Sequence, residues 1–328
     1  ASISEALGLL HKYHVLSLPV VSEGMKYKGV LNVADIIHEM VFHPTFVRSV
    51  QKYEAKEISA MDIIRKAGDE ILHEPVSAIV GKRPESKYLW AFKNSDKMSK
   101  IAEYFRHGSH RVLLHRDEKS GGDCILSQSD AVRYIRHHLT DVRVHPVARL
   151  TLEEHGIALG GKNIVTASPT ETALSAFRRL LSTHWSRRTV SRNFRSDLSA
   201  MPIVDSNGKV VGTLSQSDLR GLNSENLHEL VLPLNEFCKR ASARDARPTA
   251  TVSVTPQTTL QEAICKVVDN KVHRAWIMDH ERVVGVVSLT DIIARFSPYD
   301  FSFLNYYQNV KLSGSTDSES SMQLLCKL

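Results

Sequence analysis

One pattern recurs four times along this chain: an apolar strand, a turn, a second apolar strand, a short polar segment ending in Asp, and an apolar helix. The copies read LSLPVVSEGMKYKGVLNVADIIHEM, HRVLLHRDEKSGGDCILSQSDAV, LSAMPIVDSNGKVVGTLSQSDLRGL and HRAWIMDHERVVGVVSLTDIIARF. A unit this small cannot bury both faces of its own sheet, so each copy needs a neighbour. The spacing of the four aspartates, Asp35, Asp130, Asp218 and Asp291, is uneven. A solenoid keeps a fixed period, so pseudo-symmetric pairs separated by variable inserts fit better.

The flanks of each hairpin complete the unit. In copy four TTLQEAICKVVDN sets Leu260, Ile264, Val267 and Val268 on one helical face, between the strand signals ATVSVTP and RAWIM. The unit therefore reads strand, helix, strand, turn, strand, helix, an α+β layering. Copy three repeats it with NIVTASP, ETALSAFRRLLS, AMPIVD, the SNGK turn, VVGTLS and a closing helix; copy two supplies YLWAF and SDKMSKIAEYFRHG. Copy one opens in the helix SISEALGLLHKYH without a first strand, as expected of a chain that begins inside a domain. The expected boundaries are copy one at 1–41, a helical linker at 42–72, copy two at 73–141, copy three at 142–222 with a basic insertion at 182–197, a linker at 223–247 carrying ENLHELVLPLNEFCKR, and copy four at 248–298. The Ser-rich end, 311–328, is expected to be a disordered tail.

Composition narrows the class. A length of 328 residues fits two lobes of paired units, and the formal charge of +6 is too modest to name a partner by itself. The basic charge concentrates in STHWSRRTVSRNFRSD, where Arg192 and Arg195 belong either to a solvated loop or to a phosphate or partner contact. No nucleic-acid module is recognisable. Cys124, Cys238, Cys265 and Cys326 lack CxxC spacing, which argues against a disulfide framework or structural zinc. No apolar run reaches the roughly 18 residues of a membrane span and no signal peptide opens the chain, so a soluble, intracellular protein is expected. Phosphate-loop, nucleophile-elbow and HExxH motifs are absent, giving an enzyme or a metal site little support.

Two constellations remain. Each copy enters its last helix through NVAD, SQSD, SQSD or SLTD. Asn32, Ser127, Ser215 and Ser288 suit helix caps, with the Asp three residues on complementing the positive helix end. The alternative is that each carboxylate faces a cleft and accepts two hydrogen bonds from the 2′ and 3′ hydroxyls of a ribose, with Ser127, Ser129, Ser215, Ser217, Ser288 and Thr290 beside it. The second constellation is His110–Arg111 and His273–Arg274, which open the same strand in copies two and four. Two such pairs converging on one cavity would bind phosphate groups.

With these residues in view, the chain resembles the cystathionine-β-synthase (CBS) domain family, with four repeats paired as two Bateman modules. The HR pairs and VHRAWIMDHERVVGVVSLTDIIARF further resemble the γ regulatory subunit of AMP-activated and sucrose-nonfermenting-type protein kinases. The resemblance implies a disk with AMP, ADP or ATP in central clefts, no catalytic cofactor, and a noncatalytic role beside a kinase α subunit and a β scaffold, in the cytoplasm and also the nucleus. It implies ribose binding by Asp35, Asp130, Asp218 and Asp291, phosphate binding by His110, Arg111, His273 and Arg274, and a cleft position for Ser199. The chain departs from the mammalian-type γ pattern at Leu16 and Ser129, where that pattern has Arg and Lys, and it keeps Asp130 where the pattern lacks the aspartate. The resemblance leaves a second reading, a free-standing nucleotide sensor acting on another enzyme, transporter or channel.

Overall fold

A computed structural model of the chain describes residues 1–23, 27–59, 62, 70–83, 86, 89–117, 121–141, 144–157, 164–182, 199–223, 225–244 and 251–297. The basic insertion with Arg192 and Arg195, the 311–328 segment and Cys326 lie outside the described residues. All four expected hairpins are present and antiparallel: β1 (Ser17–Val21) with β2 (Tyr27–Asn32), β4 (Arg111–His115) with β5 (Cys124–Ser127), β6 (Ala200–Val204) with β7 (Val210–Ser215), and β9 (Arg274–Asp279) with β10 (Arg282–Ser288).

Their registers are equivalent. Ser17 pairs with Asn32, Arg111 with Ser127, Ala200 with Ser215 and Arg274 with Ser288, so the residue that opens each middle strand faces the residue that caps the following helix. Three residues further along, Val20, Ile203 and Ile277 face Gly29, Gly212 and Gly285. The glycine makes room for the branched side chain opposite: a Cβ at Gly285 would stand 3.2 Å from Ile277 Cδ1, and one at Gly212 would stand 3.3 Å from Ile203 Cδ1. Copy two answers with Leu114 facing Cys124.

The first strands shrink from what the sequence pattern leads one to expect. In copy two β3 (Ala91–Lys93) runs parallel to β4, and in copy four β8 (Ser253–Val254) runs parallel to β9. The strand expected over NIVTASP in copy three is a single parallel bridge, Ala167 to Ile203. Among the described residues the sheet of copy one is the β1–β2 hairpin.

Helices carry the packing. α1 (Ile3–Lys12), α2 (Val33–Phe42) and α3 (Pro44–Glu54) belong to copy one and its linker, and α4 (Met98–Arg106) and α5 (Gln128–His137) to copy two, followed by the short α6 (His145–Arg149). Copy three holds α7 (Ala173–Ser182), the second linker α8 (Leu234–Arg244), and copy four α9 (Leu260–Asp269) and α10 (Leu289–Phe296). The closing helix expected in copy three is one 3-10 turn, Gln216–Leu219, because Arg220 is extended and Gly221 turns the chain with φ +79°. The long linker helix expected over ENLHELVLPLNEFCKR breaks into a 3-10 segment, Leu227–Val231, and α8. Leu232, forced out of helical geometry by Pro233, separates them.

Two compact units result. The first combines copies one and three, from residues 1–89, 165–182 and 199–244; the second combines copies two and four, from residues 90–157, 164 and 251–297. In the first, α2 packs on α7 and on the Gln216–Leu219 turn, and Phe177 meets Phe237 edge-on at 5.5 Å. In the second, α10 lies against α4 and α5, and α9 against α5 and α6, around a core of Phe105, Val132, Ile135, Ile264, Ile292 and Phe296. Within each unit, helices rather than sheets join the two copies, which sets their helix starts close together.

Candidate functional site

The site is best built from the helix starts. Asn32, Ser127, Ser215 and Ser288 are all N-caps in extended backbone, and the Asp three residues on closes a capping box in every copy. One carboxylate oxygen is committed to this duty: the cap-residue N–H donates to Oδ2 of Asp35 at 2.8 Å, Asp130 at 2.8 Å, Asp218 at 2.6 Å and Asp291 at 2.9 Å. The hydroxyls of Ser127 and Ser288 donate to the same oxygen of Asp130 and Asp291 at 2.6 and 2.7 Å. Ser215 Oγ instead meets Ser217 Oγ and accepts from the Ser217 N–H at 3.0 Å. Helix capping is thus a real function of the motif, and it leaves Oδ1 to distinguish the copies.

Copies one and two use that oxygen inside the chain. Asp35 Oδ1 lies 3.4 Å from Arg83 Nη1, and the pair is deeply buried, with side chains 2 and 7% exposed. Asp130 Oδ1 pairs with Arg133, one helical turn on and exposed. In copy three the Arg244 guanidinium lies 3.5 Å from the Asp218 carbonyl and forms an ion pair with Glu229.

The basic pairs sit where the repeat register puts them. The first N–H of each closing helix or turn donates to the carbonyl of the residue before the middle strand: Val33 to Leu16 at 2.9 Å, Gln128 to His110 at 3.0 Å, Gln216 to Ser199 at 2.9 Å and Leu289 to His273 at 3.1 Å. Leu16, His110, Ser199 and His273 are therefore equivalent positions. His110 and His273 stand just outside their strands, which begin at Arg111 and Arg274. Both arginines are half-buried and face the capping serines of the same copy.

The second unit holds His110, Arg111, Ser127, Ser129, Asp130, His273, Arg274, Ser288, Thr290 and Asp291; the first holds Asp35, Ser199, Ser215, Ser217 and Asp218. Copies two and four are joined at their helix starts. Gln128 Nε2 donates to Thr290 Oγ1 at 2.9 Å, while the Gln128 N–H holds the His110 carbonyl and the neighbouring Leu289 N–H holds the His273 carbonyl. A short run of bonds thus links one basic pair to the other. Fixed guanidinium charge, imidazole and two positive helix ends in one unit favour an anion, and none of these groups needs to make or break a covalent bond.

Reading the sequence by copies missed four partners. Arg133 had a local signal, its i+3 spacing from Asp130. Gln128 had a weaker one, a polar residue where copies one and four carry Val33 and Leu289. Arg83 and Arg244 meet Asp35 and the Asp218 carbonyl from 48 and 26 residues away, a separation no local pattern reports. Among the described residues no cluster of three His, Cys, Asp or Glu side chains could hold a metal ion, and no helix is long and apolar enough to cross a membrane. The described cysteines form no disulfide with one another.

Hairpins in one register, each leading through a capped Asp into a helix and packed pairwise through helices, define a CBS-domain architecture. The CBS-domain family model matches residues 1–41, 159–225 and 244–297, just under half of the chain. Copy two lies outside that match, yet its hairpin keeps the shared register and its capping box is complete.

Among named relatives, the chain is similar to two proteins of Arabidopsis thaliana. It is 29% identical to "SNF1-related protein kinase regulatory subunit gamma-like PV42b", over 90% of this chain and 88% of that one. It is 27% identical to the corresponding PV42a, over 81% and 74%. A solved structure, protein MJ1225 of Methanocaldococcus jannaschii, described as a candidate archaeal homologue of γ-AMPK, is similar over 90% of this chain and 93% of that one. Its TM-score is 0.61 at 15% identity, a likeness of fold.

Proposed function

We propose that the chain is a noncatalytic γ-type regulatory subunit of a heterotrimeric energy-sensing Ser/Thr protein kinase, in which AMP, ADP or ATP binding biases how the chain docks onto a kinase α subunit and a β scaffold. The observation that carries the reading is the second unit, where two His–Arg pairs and two capped aspartates are tied together through Gln128 and Thr290. The names of the two plant relatives support the kinase partner.

In this reading Asp291 and Asp130 accept ribose hydroxyls through the oxygen that is not fixed by the cap, which Asp130 shares with Arg133, beside Ser127, Ser129, Ser288 and Thr290. His110, Arg111, His273 and Arg274 hold phosphate. In the first unit Asp218, Ser199, Ser215 and Ser217 form the corresponding set. Arg192 and Arg195 supply additional phosphate contacts. Asp35 takes a ribose only by giving up Arg83. The site is assigned to the cytoplasm and, secondarily, the nucleus.

Coupling runs both ways: whatever factor a nucleotide adds to partner affinity, the partner adds to nucleotide affinity. Affinity purification with mass spectrometry tests the assignment. Copurification of a kinase catalytic subunit and its scaffold is expected; recovery of neither, with AMP still bound in calorimetry, replaces it with the free-standing sensor.

A further inference from the structure

Gln128 opens α5 and is buried, 5% exposed, at the contact between copies two and four. Its equivalents are the apolar Val33 and Leu289 in copies one and four and Gln216 in copy three, so the repeat tolerates an apolar side chain at this position. The amide nitrogen lies 3.0 Å from the Phe105 carbonyl, 3.1 Å from the Ser109 carbonyl and 2.9 Å from Thr290 Oγ1. Carbonyl oxygens only accept, so the orientation of the amide is determined: turning it over would set its oxygen against two others.

The polarity of Thr290 follows. An amide nitrogen carries two protons and no lone pair to offer; with three acceptors around it one proton is shared, and the Thr290 hydroxyl, the nearest of the three, meets Gln128 as acceptor and never as donor. Its own proton is left for something else. Thr290 is the second residue of α10, between the capping Ser288 and Asp291, where the helix end already favours negative charge.

We propose that Gln128 is a positioning residue for phosphate recognition: by donating to Thr290 Oγ1 across the copy boundary, it turns the Thr290 hydroxyl into a dedicated donor toward an ionised ligand oxygen. The same residue holds the His110 carbonyl through its backbone N–H, so one residue connects the copy-two basic pair, through its backbone, to the copy-four helix start, through its side chain. Phosphate recognition in the second unit is then a shared property of copies two and four. This rests on the proposed nucleotide site and adds the residue that sets its preference for a charged ligand.

The test compares AMP with adenosine by calorimetry on the full chain, for wild type, Gln128→Met, Thr290→Val and the double variant. The wild type is expected to favour AMP. Each single variant is expected to lower the AMP-to-adenosine affinity ratio about fivefold or more, the scale of one lost hydrogen bond to an ionised group. The double variant should fall no further than the weaker single, because both remove one interaction. A Gln128→Met protein that melts earlier yet keeps the wild-type ratio overturns the proposal and makes Gln128 a core residue. Should that variant fail to fold, Thr290→Val decides alone, since Thr290 is half-buried and an unchanged ratio overturns the proposal equally. A wild type that binds both ligands without preferring AMP also overturns it, while one that binds neither removes the nucleotide site itself.

Discussion

Asp35→Ala should be the most destabilising of the four equivalent aspartate substitutions. Removing this side chain opens the capping box of α2, worth about 1 kcal/mol. It also takes the Asp35 carboxylate away from Arg83, whose residue is only 6% exposed, and removing one partner of a buried ion pair costs about 3–5 kcal/mol. The single 3.4 Å contact is not the bidentate fork that makes such pairs strongest, so the lower end applies and the total is about 4 kcal/mol. That is a large fraction of the roughly 5–15 kcal/mol by which a domain is stable. Asp291→Ala loses a cap in a half-buried position and should cost about 1 kcal/mol. Urea unfolding followed by circular dichroism reads both. The Asp35→Ala/Arg83→Met double variant should recover most of the loss, because the buried charge is gone together with its carboxylate. Equal midpoints for Asp35→Ala and Asp291→Ala, or no recovery in the double variant, would refute the reasoning.

Other expectations follow from the same geometry. Asp291→Ala should leave the fold intact and weaken AMP binding about tenfold, through loss of a carboxylate acceptor, in calorimetry. Arg274→Ala should lower AMP affinity and flatten its dependence on salt, read as the slope of log Kd between low and physiological ionic strength. Gly29→Ala should destabilise by about 2 kcal/mol or more in thermal melts, since a Cβ there would lie 2.4 Å from the Ser86 carbonyl oxygen with φ at +153°. Burial pushes the Glu171 carboxyl up, but the Arg179 guanidinium and the Ser168 N–H outweigh it and hold it below its ordinary 4.5. Its contribution is therefore present above pH 4.5 and lost as pH falls through the lower folded value. Glu171→Gln should flatten the acid limb of stability against pH.

The hairpins and their helix starts were readable from the chain because both are local: alternation sets the strands, and a cap with an Asp three residues on sets the turn into the helix. The helical face of copy four was placed correctly, with Leu260, Ile264 and Val267 buried and Val268 half-buried. What went astray had tertiary or single-residue causes. The first strand of copy three is reduced to Ala167, although its apolar pattern matches that of the others. Pro233 and Gly221 cut two expected helices that hydrophobic periodicity alone would continue. At the site, the motif residues were visible, but their partners were not. Arg83 reaches Asp35 only through the fold, and Gln128 acquires its meaning from Thr290, far along the chain and beside it in space.

The most direct measurement is a crystal structure of the full chain grown with AMP. The nucleotide should lie in the second unit with its ribose on the Asp130 or Asp291 carboxylate and its phosphate within reach of His273, Arg274 or the copy-two pair. AMP bound elsewhere, or clefts left empty at millimolar AMP with these side chains turned to solvent, would contradict the nucleotide-sensing role.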